Sequence, residues 1–206
     1  MAVYEIDGVV PVVEPGAFVH ESVSLIGDVV VGVGCYIGPF ASLRGDFGRI
    51  TVGAGSNVQD SATIHAFPGA DAVLEPHSHV GHGAVLHGCT IRSYALIGIG
   101  AIVLDGVDVG ENALIGAGAV LTAGMIVPPA TLVLGTPGRV IRELDEETIR
   151  WKMRGVGVYE ELARRSLASL RRTDPLTAVT PDRPRVSTGR DVATPLHERR
   201  LRPDEP

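Results

Sequence analysis

Aliphatic residues return every six positions along most of this chain, and no helix or long strand has that period. Val13, Val19, Leu25, Val31, Ile37 and Leu43 form one run; Val52, Val58 and Ile64 a second; Leu74, Val80 and Leu86 a third. Ile91, Ile97, Val103, Val109, Ile115, Leu121, Val127 and Val133 complete the series, giving twenty anchors. Two residues before an anchor the side chain is usually small, as at Ala41, Ala62, Ala84, Ala95, Ala101 and Ala113. A helix repeats at 3.6 and a strand at 2, so six calls for a short strand followed by a sharp corner. Within the strand, alternation sends the anchor and the small residue inward, while Gly and Asn supply the positive φ of the corners. Three faces close a triangular coil, stacked coils pair as parallel strands, and twenty anchors predict six to seven coils of a β-helix.

Composition agrees. Apolar residues are 45% of the 206, but aromatics only 4%, so the core is built from small aliphatics, and 26 glycines serve the corners. A formal net charge of −6 advertises no basic face for nucleic acid. No apolar run approaches a membrane span, and the N-terminus lacks the pattern of a secretory signal, so a cytoplasmic protein is expected. Cys35 and Cys89 both fall on the small inward position and read as buried space-fillers.

The organisation expected is a β-helix over 1–138, helices over 139–172 that pack back on the prism, and a flexible tail over 173–206. Asp145 looks like an N-cap with Glu146 and Glu147 in the first turn. One helix is expected over 145–154 and another over 158–171, interrupted by Gly155 and Gly157, with Leu162, Leu167 and Leu170 as an apolar face. The tail holds six prolines, six acids and six arginines without an aromatic, too little apolar surface to offset its ordering entropy.

The polar residues gather where the period breaks. The step from Leu43 to Val52 is nine, from Ile64 to Leu74 ten, and from Leu86 to Ile91 five. Insertions in a solenoid map to loops on one side, often the functional one. Near these breaks stand Arg44, Asp46, Gln59, Asp60, His65, His77, His79, His82 and His87. Arg44, His65 and His87 each follow an anchor by one residue and lie three faces apart, so they form an outward column with ~4.8 Å between coils. Asp60 and His82 each follow an anchor by two and form a second column about a third of the way round the prism, with Gln59 beside it. In a cyclic trimer the first column of one subunit can meet the second column of its neighbour. That arrangement gathers His65 and His87 with a neighbour's His82 as three metal ligands and leaves a coordination position for water. The dense pair His77 and His79 reads as loop or solvent residues, Arg44 with Asp46 as an interface ion pair, and His20 and His197 as partnerless.

Leu43-Arg44-Gly45-Asp46, Asn57-Val58-Gln59-Asp60, Ile64-His65 and Gly81-His82-Gly83-Ala84-Val85-Leu86-His87-Gly88 resemble the motifs of γ-class carbonic anhydrase-like hexapeptide proteins. The similarity runs from about residue 8 to 172 and is nearest to the phenylacetate-degradation and carnitine-operon branch. The resemblance implies a left-handed β-helix homotrimer with zinc, or iron or cobalt, held at subunit interfaces by the positions of His65, His82 and His87. It implies that Arg44 orients bicarbonate or braces the site against an acid across the interface, with Asp46 and Asp60 in the catalytic set, and that Gln59 orients the attacking water. The acidic loop of highly active members corresponds to residues 66–79, which here carry only Asp71 and Glu75, so slow CO₂ hydration is expected.

The chemistry expected first is attack of a metal-bound hydroxide on CO₂ to give bicarbonate. The same nucleophile can attack a thioester, so hydrolysis of an acyl-CoA is an alternative. A CoA-dependent acyltransferase, with histidine as general base, is another, and a non-catalytic trimeric scaffold is the last.

Overall fold

The computed structural model describes residues 1–186; His197 and the greater part of the expected tail lie outside the described residues. The chain winds as a left-handed parallel β-helix of about seven turns, followed by one helix. Three faces are traced by two sheets. The twelve-stranded sheet covers two faces, because strands Ser24–Val31 and Ser42–Val52 continue around a corner from one face to the next. The eight-stranded sheet forms the third face, from Phe18–Val19 to Thr131–Leu134 and the antiparallel strand Arg139–Glu143.

The expected alternation holds strand by strand. Anchors Leu25, Ile37, Leu43, Ile64, Leu86, Ile97 and Leu121 are fully buried, as are the small residues Ala62, Ala84, Ala95 and Ala113 two positions earlier. Cys35 and Cys89 lie in the same core, where burial pushes their thiols up to about 11 and about 12 respectively. Neither is a nucleophile at neutral pH.

The corners need left-handed backbone, and not only glycine provides it. His77, Tyr94 and Asn112 stand at φ 61°, 56° and 59° on successive coils of one edge. The glycine that follows many anchors has a separate reason. A Cβ on Gly98 would come within 2.6 Å of the backbone of Ile115, Gly116 and Ala117 on the next coil, so only hydrogen lets the coils approach there.

After the prism, one helix, α1 (Glu146–Ser169), replaces the two that were expected. Asp145 caps it by accepting from the Thr148 N–H at 2.7 Å. Gly155 and Gly157 lie inside it with open space around them. Each costs about 1 kcal/mol relative to alanine, but burial of Lys152, Val156 and Ala163 on either side keeps the helix continuous. The expected apolar face is corrected too. Leu162 packs against Phe18, Tyr36 and Ala163, whereas Leu167 and Leu170 are exposed, past the part of α1 that meets the prism. Lys152 is 1% exposed and donates to the carbonyl of Tyr94, with Asn112 Oδ1 at 3.5 Å. Burial pushes its pKa down to about 8.

Candidate functional site

The first column forms in register on one face. Arg44 pairs with His65, and His65 with His87, on three adjacent parallel strands. His65 Nδ1 faces His87 Nε2 at 3.0 Å. The far nitrogen of each ring meets a carboxylate: His65 Nε2 donates to Asp46 Oδ1 at 3.0 Å, and His87 Nδ1 donates to Asp105 Oδ1 at 2.5 Å. These partners fix the tautomers. With each ring neutral and its proton on the aspartate side, two lone pairs would face each other, and Arg44 Nη2 approaches His65 Nδ1 at 3.5 Å. Facing lone pairs repel unless a cation lies between them. Two imidazoles on a tetrahedral zinc at 2.0–2.1 Å would have nitrogens roughly 3.3 Å apart, so the rings need open by only a few tenths of an ångström.

The second column also forms. His82 Nδ1 lies 2.9 Å from Asp60 Oδ2, which leaves His82 Nε2 as a third carboxylate-backed donor on an exposed edge. Among the described residues, no three His, Cys, Asp or Glu of one chain gather into a metal-holding group. Within one chain His82 does not join His65 and His87. The three histidines match the donor chemistry of zinc, and each ring is oriented by an acid, as histidine ligands ordinarily are.

Arg44 and Asp46 pair within the chain, with Arg44 Nη1 donating to Asp46 Oδ2 at 2.7 Å. Burial pushes the Asp46 carboxyl up, but hydrogen bonds from Arg44 and His65 outweigh it and hold Asp46 below the usual carboxylate range. Two exposed phenyl rings flank the pair: Phe47 lies 5.3 Å from the His65 ring, and Phe67 lies 6.0 Å from the His87 ring.

The loop reading holds for His77 and is corrected for His79. His79 belongs to the strand His79–Val80, in register with Asn57 below and Leu96 above. Gln59 Nε2 donates to Asn57 Oδ1 at 3.0 Å and to His79 Nε2 at 2.7 Å, so Oε1 is what Gln59 has left to offer. Desolvation pushes the His79 pKa down to about 4, and Tyr159 of α1 stands edge-on to its ring at 5.3 Å. His77, at a corner, stacks on Tyr94 at 4.8 Å and bonds Glu160 of α1 at 2.9 Å. His20 has a partner after all, Ser22 Oγ at 2.8 Å.

A cavity of about 850 Å³ opens at Gln59, His79 and His82 and runs between the third face and α1, past Leu96, Leu114 and Trp151. Asp105, Tyr159 and this cavity were missed in the sequence. Asp105 follows anchor Val103 by two, one coil beyond His87, and that count was the available signal.

Carnitine operon protein CaiE of Citrobacter koseri is 47% identical over 192 residues, covering 93% of this chain and 98% of that protein. The chain belongs to the CaiE family of hexapeptide-repeat proteins. Its residues 88–123 match the family described as bacterial transferase hexapeptide (six repeats). Two solved structures resemble this CaiE-family chain over nearly all of their own length. A putative acetyltransferase of Bacillus cereus is 38% identical with a TM-score of 0.80, covering 81% of this chain and 97% of that one. A hexapeptide transferase family protein of Anaplasma phagocytophilum is 34% identical with a TM-score of 0.77, covering 80% and 97%. Among the described residues no helix is long and apolar enough to cross a membrane.

Proposed function

We propose that this protein is a metal-dependent hydrolase of acyl thioesters, working as a homotrimer with a site at each subunit interface. His65 and His87 of one subunit and His82 of the next would hold a divalent metal, with zinc first and iron or cobalt as substitutes. The observation that carries the reading is the 3.0 Å approach of His65 Nδ1 to His87 Nε2, with the other nitrogen of each ring against an aspartate. A metal there supplies Lewis acidity, which makes water a better nucleophile at neutral pH and polarises a carbonyl.

The chain's own residues divide the remaining work. Asp46, Asp105 and Asp60 hold the three rings in the tautomer that ligates. Gln59 Oε1 accepts a hydrogen bond from the incoming water and so aims its oxygen at the carbonyl carbon. Arg44, neutralised in part by Asp46, keeps a positive charge beside an oxygen that becomes negative. In the net reaction a carbon–oxygen bond forms, the carbon–sulfur bond breaks, and the sulfur leaves with a proton from water.

Two observations favour a thioester over the CO₂ reading. A cavity of about 850 Å³ reaches Gln59 and His82, and CO₂ does not need it. Both acids of the 66–79 stretch are also engaged elsewhere: Asp71 accepts from the Arg49 N–H at 2.9 Å, and Glu75 accepts from Arg92 at 2.8 Å and from the Ser93 N–H at 3.0 Å. Neither is free to relay the protons that rapid CO₂ hydration releases.

A second reading, a CoA-dependent acyltransferase, is favoured by the names of the two solved relatives. Metal analysis of wild type and His82→Ala, with thioester hydrolysis and CO₂ hydration assayed on both, separates them. The hydrolase reading expects about one metal per chain in wild type, with metal and hydrolysis both lost in the variant. Acyl transfer that needs an acceptor and survives metal removal would establish the second reading instead.

A further inference from the structure

We propose that the groove between α1 and the third face binds the linear aliphatic acyl chain of the substrate, with the carbonyl end at His82 and Gln59. This rests on the thioester reading above and names the substrate class of that site. Asn57, His79, Leu96, Leu114 and Leu132 form one outward column, each in register with the next coil. The column is polar where it supports Gln59 and aliphatic for the three coils beyond. At ~4.8 Å per coil the track from His79 to Leu132 is about 14 Å long.

Outward strand positions on a solvated face are ordinarily polar. Leu96, Leu114 and Leu132 are half-buried instead, and α1 does not fill the space over them. Its buried residues Lys152, Val156 and Ala163 dock elsewhere, while Trp151 and Thr148, with Arg142, Asp145 and Glu147, form the opposite and more polar wall of an open groove. Against the leucine side the matching occupant is apolar and extended. The arm of a CoA-like carrier bears amides that need hydrogen-bond partners; the leucine track has none to give, and the polar groups of the groove stand on the facing wall, so the acyl chain takes the track and the carrier keeps to the polar wall and solvent. Hydrolysis then releases a free fatty acid and a thiol, with water supplying the oxygen to the acyl carbon and the proton to the sulfur.

The test uses the full-length, metal-loaded protein and a series of thioesters from acetyl to decanoyl on one carrier. The expected result is a rise in kcat/KM of at least about tenfold from acetyl to octanoyl, because each buried methylene adds ~0.8 kcal/mol. Leu114→Trp, which fills the track, is expected to lower the octanoyl-to-acetyl ratio to near one. Leu114→Ser, which makes it polar without bulk, should lower it partway, and thermal melts report whether each variant is folded. Calorimetric titration with decanoate reads the groove without any chemistry. Wild type and His82→Ala should bind it and Leu114→Trp should not. Decanoate binding that Leu114→Trp abolishes, with no thioester hydrolysed, overturns the hydrolase and leaves the groove assignment standing. Hydrolysis at one rate for all chain lengths, indifferent to Leu114→Trp, overturns the groove assignment and leaves the hydrolase. A folded wild type that binds no decanoate, because a neighbouring subunit covers the groove, also overturns it.

Discussion

His87 donates from Nδ1 to Asp105 Oδ1 at 2.5 Å, and this contact determines which nitrogen it presents to His65. Replacing the acceptor tests that dependence. Asp105→Asn keeps the shape, but its amide can offer the ring a donor in place of the acceptor. Metal affinity should fall about 10–100-fold with the helix-and-prism circular dichroism unchanged. Competition against a chromogenic chelator measures it; unchanged affinity would remove Asp105 from the site.

His79 makes stability depend on pH. Its folded pKa, about 4, lies below the ordinary histidine value of 6.5, because desolvation disfavours the charged ring. The unfolded chain therefore binds more protons between those values. Its contribution is fully present above pH 6.5 and is lost as pH falls toward 4. Allowing for its opening to the groove, the loss is about 2 kcal/mol. Urea midpoints measured across this range should fall more steeply for wild type than for His79→Gln, and equal slopes would show that His79 is not the group responsible.

How much of this was legible beforehand differs between backbone and side chains. The period of six placed Leu43, Ile64 and Leu86 in the core and stacked Arg44, His65 and His87, because a solenoid converts sequence spacing directly into position. His79 was misread because its closeness to His77 and Pro76, beside the break in period, was weighed above the anchor Val80, which already places its neighbour His79 in a strand. The break at Gly155 and Gly157 was expected from propensity alone, and burial of Val156 between them overrode it. The groove was illegible because it depends on where α1 lies over Leu96 and Leu114, and no local pattern encodes the path of a returning helix.

Gly98→Ala probes the close approach of coils. The added methyl would meet the backbone of three residues at 2.6 Å, and backbone in a stacked coil cannot swing aside. A loss of about 1–3 kcal/mol is expected from chemical denaturation. A neutral result would mean that the coil spacing adjusts locally.

Asp145→Ala removes the side-chain acceptor of the Thr148 N–H and should cost about 1 kcal/mol. Because Asp145 and Thr148 also line the groove, the thermal midpoint should be compared with decanoate binding in the same variant. A lower midpoint with binding retained assigns Asp145 to the helix start alone.

The strand Arg139–Glu143 runs antiparallel to Thr131–Leu134, at the end of a ladder in which every other pair is parallel. A parallel solenoid otherwise finishes on a row of unused backbone donors and acceptors, which a second solenoid could extend end to end. On the third face the chain reverses and covers that row with five exposed residues, three of them charged. End-to-end extension of the third face is thereby disfavoured at this end of the prism, whereas the two faces of the twelve-stranded sheet end on Val120–Leu121 and Ile126–Val127.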